Sequence, residues 1–154
     1  MTALRKCLWW VPLLAALWPG CAGGADDATI ASPNRAAFDT QVWPILVRDC
    51  GFSACHGSEQ RFFRVVGPGH ERLDSAVQFS APVTQVELQL SYDRARSMIN
   101  AQDPGRSLLL LKPLAQAAGG VGHEGTDGFG RNVYQRVDDP NYQVLVQWAV
   151  SQEP

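Results

Sequence analysis

From position 34 onward, stretches in which apolar residues recur every three or four positions alternate with stretches of glycine, proline and small polar residues. The first periodic stretch is NRAAFDTQVWPILVRDC. Phe38, Val42, Ile45 and Leu46 fall at helical spacing, which predicts a helix over about 35–49 with Asn34 as its N-cap. Pro44 lies inside this pattern, so it should kink the helix or open a second short one. RFFRVV (61–66) is a short apolar run with the look of a strand. VTQVELQLSYDRARSMIN (83–100) predicts a helix, at least in its second half. In DPGRSLLLLKPL a turn leads into a short buried run, with Ser107 as candidate cap and Pro113 as terminator. AGGVGHEGTDGFG (118–130) holds six glycines and must be a loop. The last stretch, DDPNYQVLVQWAV, has Asp139 at the N-cap position and Pro140 at the first helical position. Tyr142, Leu145, Val146 and Ala149 share one face there, with Trp148 beside them. The first and last helices each carry an apolar stripe that needs a partner, so they are expected to pack together through Phe38 and Trp148. The pattern predicts a mostly α domain with long loops. It has no βαβ alternation, which argues against a nucleotide-binding sheet.

Ahead of position 34 the pattern changes. Arg5 and Lys6 precede the apolar run CLWWVPLLAALW (7–18), which is too short to span a bilayer and reads as the core of an export signal. Cys21 follows in PGCAGG, where a cysteine directly after such a run resembles the bacterial lipobox. The expected organisation is a signal peptide over 1–20, a flexible membrane tether over 21–34 and one domain over 35–154, with Cys21 as the lipidated residue. Ordinary signal cleavage near CAGGA is the alternative. Removing the signal takes two of the 13 basic residues and none of the 15 acidic ones, leaving a net charge of about −4. No basic run marks a nucleic-acid partner. No hydrolase elbow, phosphate loop or motif-placed carboxylate pair is present, and Asp138 and Asp139 are accounted for by helix capping.

With Cys7 removed and Cys21 lipidated, Cys50 and Cys55 are the remaining thiols, in an oxidising compartment. They lie in DCGFSACHG, where His56 directly follows the second. Three chemistries are open. A disulfide could close the small loop. Zinc could draw on Cys50, Cys55 and His56 with His70 or His123 as a fourth ligand, although adjacent Cys–His ligation is strained. Or each thiol could bond a haem vinyl group, which would hold His56 near the ring axis as an iron ligand. The usual haem spacing is C-x-x-C-H. Here it is C-x-x-x-x-C-H, so two extra residues must bulge.

WPILVRDCGFSACHG, PGRSLLLLKPL, GVGHEG and NYQVLVQWAV together resemble, in order, the small c-type cytochrome domains of exported bacterial proteins, of class I or planctomycete type. The haem loop here is longer than theirs, and less glycine follows His123. The resemblance spans Phe38 to Val150 and implies a cytochrome c-like helical fold with covalent haem c. Cys50 and Cys55 would be its thioether residues and His56 the proximal iron ligand. It also favours His123 as the distal ligand, ahead of Met98, with His70 third. Met98 has a competing explanation as core. The expected function is electron transfer in the cell envelope, periplasmic or outer, by a lipid-anchored carrier that meets redox partners transiently. A haem-free lipoprotein module stapled by a disulfide, with a binding or structural role, is the alternative.

Overall fold

The computed structural model describes residues 30–79, 82–123, 132–151 and 153. The expected signal peptide, Cys21, most of the tether and the second half of the glycine-rich loop lie outside the described residues.

The first helical run starts where expected. Asn34 accepts a hydrogen bond from the Ala37 amide at 2.6 Å and caps α1 (Arg35–Ala37). The run then widens into a π-helical turn, Phe38–Val42, before continuing as α2 (Trp43–Cys50) with Pro44 in its first turn. Pro44 explains the turn. In a straight α-helix its ring would meet the Thr40 carbonyl and it could donate no hydrogen bond there. Widening the preceding turn relieves that conflict, and the Trp43 amide bonds Phe38 O instead. Pro44 therefore opens the second segment, one of the two outcomes its position predicted.

α3 (Gln85–Arg96) opens with a capping box built from Thr84 and Glu87. Thr84 accepts from the Glu87 amide, and Glu87 accepts from the Thr84 amide. Glu87 also forms an ion pair with Arg72, whose side chain is fully buried. Arg72 donates further hydrogen bonds to Val77 O and Pro82 O, so one guanidinium ties the loop ahead of α3 to the start of that helix. α4 (Leu108–Leu111) follows Ser107 and ends before Pro113. Ser107 holds the N-cap position, but its hydroxyl serves the loop, accepting from the Asn100 amide and donating to Pro104 O. α5 (Pro140–Val150) is capped by Asp139, which accepts from the Asn141 and Tyr142 amides.

Residues 61–66 are not strand-like. The Val65 amide bonds His56 O, the Val66 amide bonds Ser91 Oγ, and Val66 O accepts from Trp43 Nε1. With these groups satisfied by a loop and by two helices, the segment has no ladder to join. The described residues are mostly helical with no strands. A single parallel bridge, Leu114 to Tyr134, is present among them.

The π turn packs on α5 and α3, α2 on α3, and α4 on α5. Phe38, fully buried, sits between Trp148 at 5.2 Å and Tyr92 at 5.3 Å, so the first and last helices meet through the expected aromatic pair. The polar ends of both partners return to the chain just before α1. Trp148 Nε1 donates to Asn34 O and Tyr92 Oη to Pro33 O.

Two predictions follow from this packing. Phe38→Ala empties the centre of the helix joint and is expected to cost about 3–5 kcal/mol in urea unfolding, as large-to-small core changes do. The second concerns pH. The Arg72 guanidinium, opposed by burial and helped by the Thr84 and Leu73 donors, holds the Glu87 carboxyl at about 2, below its ordinary 4.5. A depressed carboxyl stabilises the fold fully above its unfolded value and loses that contribution as pH falls through the folded one. Stability measured by urea is therefore expected to fall between pH 4.5 and pH 2, and Glu87→Gln is expected to flatten that dependence while lowering stability at pH 7.

Candidate cofactor cavity

α2 delivers Cys50 as its last residue, and the chain turns at once. The Gly51 amide bonds Val47 O, and the Cys55 and Gly57 amides both bond Phe52 O. The extra residues of the C-x-x-x-x-C-H spacing are absorbed here, with Phe52, Ser53 and Ala54 exposed on the outside of the turn. The His56 amide donates to Cys50 O at 3.0 Å and closes the loop. Gly57 is required for that closure, because a Cβ there would stand 1.9 Å from Gly51 O.

The His123 loop has a root of its own. The Ala115 amide donates to Tyr134 O and the Tyr134 amide to Pro113 O, while Asn132 Nδ2 donates to Leu114 O. Gly120 passes so close to Leu114 O that a Cβ would again meet it at 1.9 Å. Gly119 and Gly122 adopt positive φ, a conformation open to glycine at little cost.

Between these loops lies a cleft of about 500 Å³, within the roughly 300–1,000 Å³ typical of cofactor and ligand pockets. Leu46, Leu109, Pro113 and Leu145 give it apolar walls. Cys50, Cys55, His56, Met98 and His123 all line it, as do Asp49, Arg61 and Lys112. The structure therefore gathers both cysteines, the adjacent histidine and both leading distal candidates around one space. His70 is placed elsewhere. It is not among the lining residues, and its ring packs edge-on against Phe52 at 5.3 Å.

His56 is held as a ligand needs to be. Its Nδ1 lies 2.9 Å from Phe63 O, and a carbonyl only accepts, so Nδ1 carries the proton and Nε2 keeps its lone pair. Burial pushes the His56 pKa below its ordinary value, neighbouring His123 and Arg61 add to this, and the Phe63 carbonyl opposes it. The His56 and His123 rings stand 5.9 Å apart, centre to centre, with planes inclined by 24°.

The two cysteines differ. Both are free thiols, Cys50 buried and Cys55 partly exposed. Burial, with Asp49 and Cys55 adding to it, pushes the Cys50 thiol up to about 12, so it stays protonated at any physiological pH. Among the described residues, no group of three or more His, Cys, Asp or Glu is placed to hold a metal ion, so the zinc arrangement finds no support. The donor set and apolar walls do fit a haem. Two thiols and two imidazoles border a cleft whose lining is otherwise largely hydrocarbon.

Four further side chains belong to the cleft or its edge, namely Asp49, Arg61, Lys112 and Tyr134. Asp49 and Arg61 flank the cysteine motif and were legible as neighbours. Lys112 and Tyr134 carry no motif, and only the fold brings them close. No helix of the described residues is long and apolar enough to cross a membrane. In comparisons with protein-family models, with curated proteins and with solved structures, nothing matches the chain.

Proposed function

We propose that this chain is a monohaem c-type cytochrome that carries single electrons in the cell envelope. The observation that carries the reading is the His56–His123 pair, 5.9 Å apart beside a cleft that Cys50 and Cys55 also line. Two imidazoles bordering one cleft could both serve as ligands to the iron of a haem held there. Cys50 and Cys55 would hold the haem through thioethers, with His56 as proximal and His123 as distal ligand. The haem supplies the chemistry, a one-electron change at iron. The chain's part is to orient the His56 ring through Phe63 O and to keep water from the iron with the Leu46, Leu109 and Leu145 walls. Met98 also borders the cleft while packing on the core, so it stands second. Transient docking of redox partners and a lipid anchor on Cys21 belong to the same proposal.

Expressed with haem-maturation proteins, the full chain is expected to give a haem-staining band on a denaturing gel, since thioether-linked haem survives unfolding. Cys50→Ala and Cys55→Ala should each leave one vinyl unsaturated in the pyridine haemochrome, and His56→Ala should block maturation. Two saturated vinyls in both cysteine variants would refute the assignment. An unstained chain with a Cys50–Cys55 disulfide would favour the haem-free envelope module.

The distal ligand has its own test. Imidazole ligation stabilises ferric iron more than thioether ligation, so a low reduction potential is expected. His123→Ala should turn the ferric spectrum high-spin or re-liganded, while Met98→Ala leaves it nearly unchanged. The reverse result promotes Met98.

A further inference from the structure

Asp49 occupies an odd place. It is the penultimate residue of α2, where the helix dipole disfavours a carboxylate. Its side chain is mostly buried, at 17% exposure, and lines the cleft. Three hydrogen bonds compensate. Arg48 Nε donates to Oδ1 at 2.6 Å, Arg48 Nη2 to Oδ2 at 2.7 Å, and Tyr134 Oη to Oδ2 at 3.0 Å. Arg48 is an exposed neighbour in sequence and could pair with Asp49 in many conformations. Tyr134 is different, because it comes 85 residues later and is 2% exposed. Burial, with Cys50 and Asp49 nearby, raises its pKa, so the phenol stays protonated and a donor. Its ring is fixed against Tyr142 at 5.5 Å, and its backbone forms the bridge at the root of the His123 loop.

We infer that Tyr134 and Asp49 act as a clamp that sets the spacing of the two imidazoles. Asp49 adjoins Cys50, whose carbonyl anchors the His56 amide. Tyr134 anchors Ala115, from which the chain runs through Gly120 to His123. The Tyr134–Asp49 hydrogen bond therefore joins the root of one histidine loop to the root of the other. Both are positioning residues, since neither is a ligand in the proposed site. The clamp concerns the ring pair itself. Its bearing on iron ligation rests on the haem reading, but its existence does not.

The test uses the full chain, first without haem. Proton NMR is expected to show a nuclear Overhauser contact between the His56 and His123 rings in the wild type. Tyr134→Phe and Asp49→Ala should each weaken it severalfold, and the double variant should lose no more than either alone, as expected for one shared interaction. Tyr92→Phe is the control. It removes another buried phenol hydrogen bond, to Pro33 O at 2.8 Å, away from the cleft. It should reduce stability yet leave the ring contact intact. In haem-loaded protein, cyanide should bind ferric Tyr134→Phe at least tenfold faster than wild type or Tyr92→Phe, because the distal ring is no longer held. An unchanged ring contact in Tyr134→Phe, or equal loss in Tyr92→Phe, overturns the clamp. If the chain takes up no haem, the cytochrome reading fails, while the ring contact still decides the clamp.

Discussion

The fold turns on the place where Phe38 meets Trp148 and Tyr92. Three large rings fill one volume, and the two with polar ends send their donors to consecutive carbonyls, Pro33 O and Asn34 O. Asn34 O also accepts from the Phe38 amide, and the Asn34 side chain caps α1. Two residues thus start the first helix and fix its angle to α3 and α5. Burial supplies the larger energy, about 1.5–3 kcal/mol for each such side chain, while the hydrogen bonds select one arrangement of the rings. Without this joint α2 would have no fixed direction, and the cysteine loop at its end would have no fixed place opposite α4 and α5.

A second constraint acts where helices are absent. Among its described residues the segment from Gly51 to Thr84 has one short 3₁₀ turn and no strand, yet it must be held closely enough to present the Phe63 carbonyl to His56. Helix side chains hold it in part, with Ser91 and Trp43 taking Val66, and its own Arg72 gathers Val77, Pro82 and Glu87 of α3. A buried ion pair is a costly way to fix a loop, because both charges leave water. Here the guanidinium donates to both Glu87 oxygens and to the Val77 and Pro82 carbonyls, and such hydrogen bonding is the condition under which a buried pair holds a unique geometry.

What could be read from sequence follows from range. Helix caps and apolar stripes are local, so Asn34, Asp139 and the 140–150 helix were legible residue by residue. The Phe38–Trp148 contact followed because two stripes in a short chain need each other. The cysteine–histidine unit announced itself by adjacency. The 61–66 run misled because an apolar hexamer looks alike in a strand and in a buried loop; what decides is whether backbone partners come from a ladder or from helix side chains. The nearness of His56 to His123 spans 67 positions, so no local pattern encodes it, and only the resemblance carried by GVGHEG made it an expectation. Tyr134 is less legible still, since a lone tyrosine before an acidic helix start reads as surface.

The lengthened spacing between Cys50 and Cys55 is informative for the same reason. Counted along the chain, two extra residues should move the second thiol and its histidine away from the first. In space they need not, because the His56 amide is bonded to Cys50 O and the His56 carbonyl to the Val65 amide. These two bonds fix His56 relative to α2 and to the following segment, however many residues lie between. The turn through Phe52 then takes up the excess on the outer side, at a loop-closure cost that grows only logarithmically with length. Gly51 and Gly57 make this possible by letting two backbone segments approach more closely than any side chain would permit. The relation that places His56 is therefore Cys50 carbonyl to His56 amide, and the turn through Phe52 accommodates the two extra residues outside it.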